Sequence, residues 1–521
     1  MSNTLSELLR RSARNWPERV ALGTATGERA ITYAGLDELV TDLAAQLHRR
    51  GVGKRDSVAI FSDNCIEYVL ALFAVARAGA SAAPLNPRLE APQMIARLRD
   101  VSPRATIVPA HLHDEFVTRY PAVTSPAWKL MLGPAENREL SAELVRSQAF
   151  SGGSEPAELR PPARPLAGDV ALLMLTSGTT AAPKVVPLTH ANVLASIDGI
   201  RTVYRLTPGD ATLLLMPLSH VHGLIAALLA TLSSGGAACM PTGGRFRAGR
   251  FWSDMAAAGA TWYTAVPTIH QILLARAGSD AAKDTRPNLR FVRSCSAPLA
   301  PAVMDNLETA FSAPVLTAYG MTETAHQIAS NPLPSDGPRK PGSVGVATSV
   351  EVEVTGPGGD PAAIGETGEI WIRGASVTSG YVENRVATAQ SFTGGWFHSG
   401  DLGYKDADGY LFLTGRIKEI INRGGEKISP AAIDEVLQSN PSVEHALSFG
   451  VADEKYGEEI QAAVVLRRGH DANEEELTQY CRSMLTASEA PKRIFFVADL
   501  PRTAKGSGDR RQLAALLGPA A

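Results

Sequence analysis

The chain has 521 residues, of which 45% are hydrophobic and 20% are charged, and its formal net charge is −3. This length exceeds one ordinary domain, and this balance excludes a disordered chain and a strongly basic nucleic-acid-binding protein. We therefore expect a large globular protein that works on small molecules and has no nucleic-acid partner.

The cysteines and the N-terminal stretch indicate a compartment. The four cysteines are scattered and form no group with metal-ligand spacing, which argues against a disulfide framework and a structural zinc site. The stretch "MSNTLSELLRRSARNWPERV" has the pattern of a capped amphipathic helix rather than of a signal peptide, and no later stretch offers about 18 charge-free apolar residues. We expect a cytoplasmic protein with no membrane partner, and a homodimer is left open.

Strand and helix patterns alternate along the first part of the chain. The runs "SVAIF" at 57–61 and "VALLML" at 170–175 are typical of buried strands, whereas "YAGLDELVTDLAAQLHRRG" at 33–51 has apolar residues at helical spacing. This repeated order predicts an α/β fold with mostly parallel sheets. Residues 148–169 are rich in glycine, proline and serine, which predicts a long loop.

The pattern changes near residue 345. There "VEVEVTGPGGDPAAIGETGEIWIRG" alternates β-forming residues around turn residues, which predicts a hairpin-rich β subdomain. From Gly415 the pattern is strand, glycine turn, helix and strand, which indicates a small α/β unit. We predict an N-terminal domain over residues 1–415 and a C-terminal domain over 416–521.

One stretch has the composition of a phosphate-binding loop. "LTSGTTAAPKVVPLTH", at 175–190, places hydroxyl and glycine residues after a predicted strand and then brings in Lys184. Backbone N–H groups, small hydroxyls and one ammonium suit a triphosphate. No Gly-Lys-Ser/Thr closes the run, which excludes a Walker A motif. Taken alone, the stretch leaves a Ser/Thr-rich surface turn as an equal alternative.

Five further blocks follow this stretch in order. They are "SCSAPLAP" from Ser294, "AYGMTETAHQ" from Ala318, "GEIWIRG" from Gly368, "HSGDLGY" from His398 and "GRIKEIINRGGEKISP" from Gly415. With these blocks the sequence strongly resembles the adenylate-forming superfamily of acyl-CoA synthetases, nonribosomal-peptide adenylation domains and luciferases, over essentially its whole length. "MPLSHVHGL", "RSCSAPLAP" and the stretch from Ala318 are most similar to the oxalate–CoA ligase branch.

The resemblance implies a reaction and an architecture. A carboxylate attacks ATP to give an acyl-AMP and pyrophosphate, and a thiol, usually that of CoA, then displaces AMP. The implied fold is α/β, with a large N-terminal domain of several subdomains, a β-rich one among them, and a small mobile C-terminal domain whose hinge lies near Lys418. ATP and Mg²⁺ are the implied cofactors, and CoA is the expected co-substrate.

The resemblance also implies site residues. The ATP-binding residues are Thr176, Ser177, Gly178, Thr179, Thr180, Lys184, Ser296, Ala297, Pro298, Tyr319, Gly320, Met321, Asp401 and Arg416. Asp401 and Arg416 are expected on the ribose hydroxyls, Thr322 near the α-phosphate and Glu323 on the magnesium ion. Gly424 and Gly425 are expected along the channel for CoA or another acceptor. Ala181 and Val185 replace glycines that are usual in the family.

Three histidines and a serine are the candidates for binding the acid. They are His220, His222, Ser294 and His326. Several histidines at pocket-forming motif positions suit a small polar or anionic acid rather than an alkyl chain. A lone histidine is more often a packing residue, so a structural role for each stays open.

The C-terminal motif departs from the family pattern. The family's lysine, which bridges the carboxylate and the α-phosphate, falls on Ser507 in "LPRTAKGSGDRRQL", and Lys505 lies two residues earlier. In an extended strand these two positions share a face about 6.5 to 7 Å apart, so that Lys505 could serve as the catalytic cation. The alternatives are an unusual acid or acceptor, as in nitrite-activating diazo-forming or amide-forming ligases, a nucleotide-binding pseudoenzyme, and an engineered lysine variant.

Overall fold

The computed structural model describes residues 3–120, 129–132, 142–145, 164–176, 184–278, 287–502 and 508–518. Within these ranges the chain forms two large mixed sheets, two smaller sheets and helices that pack on them. This architecture confirms the predicted α/β fold. None of the helices in the described ranges is both long enough and apolar enough to cross a membrane.

The strands are numbered in chain order. They are β1 (Val20–Thr24), β2 (Ala30–Thr32), β3 (Ser57–Phe61), β4 (Ser81–Leu85), β5 (Ala105–Pro109), β6 (Lys129–Leu132), β7 (Ala142–Val145), β8 (Val170–Leu175), β9 (Val185–Thr189), β10 (Ala211–Leu213), β11 (Ala237–Met240), β12 (Trp262–Ala265), β13 (Phe291–Ser294), β14 (Val315–Met321), β15 (His326–Ser330), β16 (Val346–Ala347), β17 (Glu351–Thr355), β18 (Gly368–Arg373), β19 (Phe392–Thr393), β20 (Trp396–Lys405), β21 (Leu411–Arg416), β22 (Ile421–Arg423), β23 (Glu426–Ile428), β24 (Val443–Asp453), β25 (Gly457–Leu466) and β26 (Arg493–Phe496).

The α-helices are numbered in the same way. They are α1 (Leu5–Asn15), α2 (Tyr33–Arg49), α3 (Ile66–Arg77), α4 (Ala91–Val101), α5 (His113–Arg119), α6 (His190–Val203), α7 (Ala230–Ser233), α8 (Phe251–Ala257), α9 (Pro267–Ala275), α10 (Pro301–Phe311), α11 (Arg385–Ser391), α12 (Pro430–Ser439), α13 (Glu474–Met484) and α14 (Arg510–Leu517). A π-helical segment, His222–Leu229, precedes α7.

The two large sheets position the candidate site. Sheet A has the strand order β16-β15-β14-β13-β12-β10-β11-β1-β2 and is parallel from β14 to β1, and sheet B has the order β7-β6-β5-β3-β4-β8-β9 and is parallel from β6 to β8. In open α/β sheets, ligands bind at the carboxyl ends of the parallel strands. The predicted motifs follow β8, β13 and β14 at such ends.

The two smaller sheets follow in the chain. The β-rich sheet is antiparallel, with the order β17-β18-β20-β19 and with β21 paired to β20. The C-terminal sheet has the order β23-β22-β25-β24, and β26 pairs parallel to β25. Both agree with the patterns read after residue 345. The domain boundary at 415–416 and a hinge near Lys418 stay predictions.

Local sequence explains the helices that were predicted first. Thr4 caps α1 by accepting from the N–H of Glu7 at 3.2 Å, and Thr32 caps α2 by accepting from the N–H of Gly35 at 3.2 Å. The leucine face of each helix is buried in one core with α3, which is buried from Ile66 to Ala76. The predicted strands at 57–61 and 170–175 match β3 and β8, whereas most of the predicted loop at 148–169 lies outside the described residues.

The start of α1 depends on a neutral histidine. His190 is 1% exposed, and its Nδ1 accepts from the N–H of Leu5 at 3.3 Å. Burial lowers the pKa of His190 from 6.5 to about 4. Between pH 6.5 and about pH 4, His190 binds a proton in the unfolded chain but not in the folded chain. Acidification through this range therefore lowers the free energy of unfolding by up to about 3 kcal/mol.

We expect His190→Asn, which keeps an acceptor but does not titrate, to flatten the fall in thermal unfolding midpoint between pH 6.5 and about pH 4. The exposed His470, changed to Asn, is the control and should leave the pH dependence as it is in the wild type. Equal pH dependence in the wild type and His190→Asn would contradict this account.

Candidate active site

Two residues close the base of the predicted triphosphate loop between β8 and β9. The N–H of Thr176 donates to the carbonyl of Lys184 at 2.9 Å, and the N–H of Lys184 donates to Thr176 Oγ1 at 3.0 Å. The predicted loop residues that lie outside the described ranges are Ser177, Gly178, Thr179 and Thr180.

The turn after β14 carries Thr322 and Glu323. Thr322 is buried and Glu323 is half-buried in a short 3-10 turn. The Glu323 carboxylate accepts a hydrogen bond from the Tyr381 hydroxyl at 3.0 Å, and the Lys184 ammonium lies 4.2 Å from the centre of the same ring. The fold therefore brings the predicted phosphate-binding lysine and the predicted metal ligand to one tyrosine.

The end of β14 is crowded. A Cβ at Gly320 would overlap the carbonyl of His326 on β15, so glycine is required there. Met321 packs against the apolar core beneath the β-rich sheet. The space beside Gly320, just before Thr322, is therefore filled by the backbone of β15 rather than by a side chain.

The three residues predicted on the ribose and adenine form one hydrogen-bonded group, in which Tyr319 and Asp401 are buried. The Tyr319 hydroxyl donates to Asp401 Oδ2 at 2.5 Å, and Arg416 Nε lies 2.8 Å from Asp401 Oδ1. The facing registers of β20 and β21 pair Asp401 with Arg416 directly. Burial raises the pKa of Asp401, and the Arg416 charge opposes that rise. The Arg416 side chain is 57% exposed, so its donors are accessible to a ligand.

The loop after β13 holds the rest of the predicted adenine wall. Ser296 has a φ of 75°, a left-handed conformation that is strained for serine and is common at functional sites. Ser296 and Pro298 are exposed and Ala297 is half-buried. The Ser296 hydroxyl is 3.0 Å from His222 Nδ1, which joins this wall to the predicted acid site.

A buried arginine lies at the centre of the predicted acid site. Arg293, on β13, has no measurable exposure. Its guanidinium donates to side chains from four elements. The partners and distances are His222 Nε2 at 3.3 Å, Thr264 Oγ1 at 3.0 Å, His326 Nε2 at 2.9 Å, Gln327 Oε1 at 3.1 Å and Tyr204 Oη at 2.8 Å.

Arg293 sets the chemistry of the two histidines. Because a guanidinium only donates, Nε2 of His222 and of His326 must accept, which puts each ring proton on Nδ1. Burial and the Arg293 charge hold the pKa of both histidines well below 6.5. The rings stack with centroids 5.2 Å apart. At neutral pH the cluster therefore carries one positive charge, on Arg293.

The other two predicted acid-site residues have different surroundings. His220 is half-buried just before the π-helical segment, and its charge would lower the pKa of His222. Ser294 is buried, and its hydroxyl has no hydrogen-bond partner among the described residues. Successive residues of a strand point to opposite faces, which directs Ser294 away from the Arg293 cluster. Its role in binding the acid stays a prediction.

The predicted hinge and acceptor channel are exposed. Lys418 lies in a 3-10 turn after β21, and its charge, together with burial, lowers the pKa of Lys184. Gly424 and Gly425 form an exposed turn between β22 and β23, with φ of 61° and 92°. These left-handed values favour glycine.

The C-terminal motif is described on both flanks. Arg502 pairs with Gly508, and the N–H of Asp509 donates to the carbonyl of Pro501 at 2.8 Å. Arg510 then bonds Glu419, beside the predicted hinge, at 3.1 Å. The predicted catalytic residues Lys505 and Ser507 lie outside the described residues.

The sequence reasoning missed Arg293 and Tyr381. The sequence did contain a signal for Arg293, because "FVRS" has the pattern of a short buried strand and an arginine is rarely buried unless other groups pair with it. Tyr381 lies in an irregular segment after β18, and neither periodicity nor charge distinguishes it.

Comparisons with known proteins identify the family of the chain. A family model described as AMP-binding enzyme matches residues 9–382, and one for the AMP-binding enzyme C-terminal domain matches residues 432–507. An oxalate–CoA ligase of Arabidopsis thaliana is 45% identical over 516 residues and covers 98% of both chains. A sulfoacetate–CoA ligase of Cupriavidus necator is 34% identical over 98% of this chain and 97% of its own. ATP-bound MatB from Rhodopseudomonas palustris superimposes with a TM-score of 0.85 at 29% identity, over 99% of each chain.

The fold and the family matches define an ATP-binding, AMP-forming acid ligase. The chain belongs to the AMP-binding enzyme family, with the architecture of the acyl-CoA synthetases. The resemblance, the fold class and the enzyme class expected from the motifs are thereby confirmed.

We expect Asp401→Asn to weaken ATP binding by about 10- to 100-fold, because it removes a charge-assisted acceptor from the group that also contains Tyr319 and Arg416. Isothermal titration calorimetry with ATP measures the change. Asp408→Asn, at a carboxylate that is 72% exposed, should bind ATP as the wild type does. Unchanged affinity in Asp401→Asn would exclude this carboxylate from the nucleotide site.

Proposed function

We propose that the protein adenylates a small acid with a second anionic group, oxalate being the favoured example, and transfers the acyl group to CoA. The observation that supports this choice most strongly is the buried Arg293. In the part of the chain that the structure describes, all its hydrogen-bond partners are neutral and no acidic side chain pairs with it.

A buried cation without an anion is unfavourable, because burial removes its hydration. An anionic ligand beside the cluster supplies the missing charge. Because all five N–H groups of the guanidinium are already hydrogen-bonded to side chains, the charge of Arg293 acts on the ligand through space and through the histidine rings that it orients. The two relatives named above are described as acting on oxalate and on sulfoacetate. Each of these acids carries a second anionic group beside the carboxylate that reacts. We therefore assign the Arg293 cluster, with the two histidines that Arg293 orients, to that second group.

The proposed first step joins the acid to AMP. A carboxylate oxygen attacks the α-phosphorus of ATP, a new P–O bond forms, and the bond to pyrophosphate breaks. Asp401 and Arg416 hold the nucleoside, and Lys184 offsets phosphate charge. Because the second anionic group stays beside the Arg293 cluster, only the other end of the acid reaches the phosphorus.

Glu323 suits a magnesium ion. Magnesium prefers carboxylate and phosphate oxygens, and Glu323 is a half-buried carboxylate near the predicted phosphate-binding lysine. When bound, Mg²⁺ would neutralise charge on the leaving pyrophosphate. Tyr381 orients the carboxylate by donating to Oε1.

The exposed Gly424–Gly425 turn favours CoA as the acceptor. Arg423 lies 4.3 Å and Lys455 4.8 Å from the ring centre of Tyr456, whose carbonyl accepts from the N–H of Gly424 at 2.7 Å. The exposed Lys455 on this ring suits a phosphate of CoA, whereas the Arg423 guanidinium is paired with Glu459 at 2.6 Å. The thiol then attacks the acyl carbon, a C–S bond forms, and AMP leaves.

We expect oxalate to give ATP-dependent pyrophosphate release, with CoA consumed in equal amount. Arg293→Met should lower kcat/KM for oxalate by at least about 30-fold, since truncating one partner of a buried charge pair costs about 2 kcal/mol or more. A coupled pyrophosphate assay across small acids, with and without CoA, provides the measurement.

The exposed Arg245, changed to Met, is the matched control and should retain wild-type kinetics. ATP binding and thermal unfolding report whether Arg293→Met folds, and Arg293→Lys, which keeps the charge, should lose less activity. Pyrophosphate release without CoA consumption would favour another acceptor. ATP binding without pyrophosphate release from any acid would favour the pseudoenzyme.

We further propose that Lys505 replaces the lysine that the family carries at position 507. The paired flanks Arg502 and Gly508 and the Arg510–Glu419 ion pair connect this loop to the predicted hinge.

Lys505→Met should slow adenylation by about 10² to 10³, the usual cost of one preorganised electrostatic contact, and Ser507→Lys should change it little. Single-turnover pyrophosphate release measures both, with Lys492→Met, 60% exposed, as control. A hundredfold acceleration by Ser507→Lys would overturn this assignment.

A further inference from the structure

Tyr381 lies between two charged groups that the nucleotide is expected to use. Its hydroxyl donates to Glu323 Oε1 at 3.0 Å, while the Lys184 ammonium lies 4.2 Å from its ring centre. The side chain is buried, with an exposure of 9%. One residue therefore contacts a carboxylate through its polar end and an ammonium through its aromatic ring.

The backbone around Tyr381 fixes this arrangement. The N–H of Val382 donates to the carbonyl of Val185 at 3.0 Å, directly after Lys184. The N–H of Thr378 donates to the carbonyl of Glu323 at 2.8 Å. The Tyr381 segment is thus bonded both to the strand that follows the triphosphate loop and to the turn that carries Glu323.

The two charges are near each other but not paired. Burial lowers the pKa of Lys184, and the charge of Glu323 opposes this, so the two groups interact through space. Across the described ranges, no ion pair joins Lys184 to Glu323 directly. A direct pair would occupy both groups, and each would have to be released before it could bind phosphate or metal.

We infer that Tyr381 is a positioning residue that holds Lys184 and Glu323 in separate, nucleotide-ready positions. This inference rests on the proposed function, in which Lys184 binds phosphate and Glu323 binds Mg²⁺. The hydroxyl restrains one oxygen of Glu323 and leaves the other for the metal. The ring gives Lys184 a weak site, which a triphosphate readily displaces because a cation–π contact is much weaker than an ion pair with phosphate.

Two substitutions separate the two contacts. Tyr381→Phe keeps the ring and removes the hydrogen bond, so it should raise the Mg²⁺ concentration for half-maximal ATP binding by about 5- to 10-fold and leave Mg²⁺-free binding unchanged. Tyr381→Leu removes both contacts, so it should also weaken Mg²⁺-free ATP binding by about 3-fold or more. Calorimetric titration of ATP at several Mg²⁺ concentrations measures both effects without turnover.

Tyr410 provides a matched control. Its hydroxyl donates to the carbonyl of Pro338 at 2.6 Å, and the Lys340 ammonium lies 4.5 Å from its ring centre, so it has the same two kinds of contact outside the nucleotide site. Tyr410→Phe and Tyr410→Leu should leave both ATP-binding constants at the wild-type values. Any general loss of packing would affect the two tyrosines alike.

The inference is overturned if Tyr381→Phe has the Mg²⁺ dependence of the wild type, or if it changes Mg²⁺-free binding as strongly as Tyr381→Leu. If Tyr381→Leu fails to fold by thermal unfolding, Tyr381→Phe alone decides. The titrations contain neither acid nor CoA, so an inactive wild type with oxalate would refute the proposed substrate without changing this result. Wild-type ATP binding that does not respond to Mg²⁺ would refute both this inference and the proposed role of Glu323 as a magnesium ligand.

Discussion

The buried guanidinium of Arg293 is the interaction on which the proposed acid site depends. It bonds side chains from the end of α6, the π-helical segment, β12 and β15, which are distant in the chain. Burial, together with its charge, lowers the pKa of His222 and His326 and keeps both neutral, and its hydrogen bonds fix their tautomers. Because this charge has no anionic partner in the described residues, the folded site already favours an anionic ligand.

Backbone strain collects around the same cluster. Ser296 and His326 have φ of 75° and 94°, which are costly for residues other than glycine. The π-helical segment begins at His222, and a Cβ at Gly223 would overlap the carbonyls of Met216 and Pro217. Such geometry persists only where surrounding contacts hold it, and the hydrogen bonds of Arg293 are among those contacts.

A short series of hydrogen bonds and ion pairs connects the predicted nucleotide site to the C-terminal part of the chain. Asp401 is bonded by Tyr319 and by Arg416, which ends β21 immediately before the predicted hinge. Glu419, in the next turn, pairs with Arg510 at the start of α14. Nucleotide binding at Asp401 would therefore act on Arg416, and a rearrangement of the C-terminal motif would act on Glu419, which is close to Arg416 in the chain.

The sequence by itself determined the α/β class, the strand at 57–61, the helix from Tyr33 and the order of the nucleotide motifs, because periodicity and contiguous motifs are local properties. Only the tertiary structure decided that Arg293 joins side chains from distant segments and that Tyr381 contacts both Lys184 and Glu323. These relations depend on strand order and on contacts between segments far apart in the chain. A pattern within one segment does not show which side chains from distant segments will contact that segment.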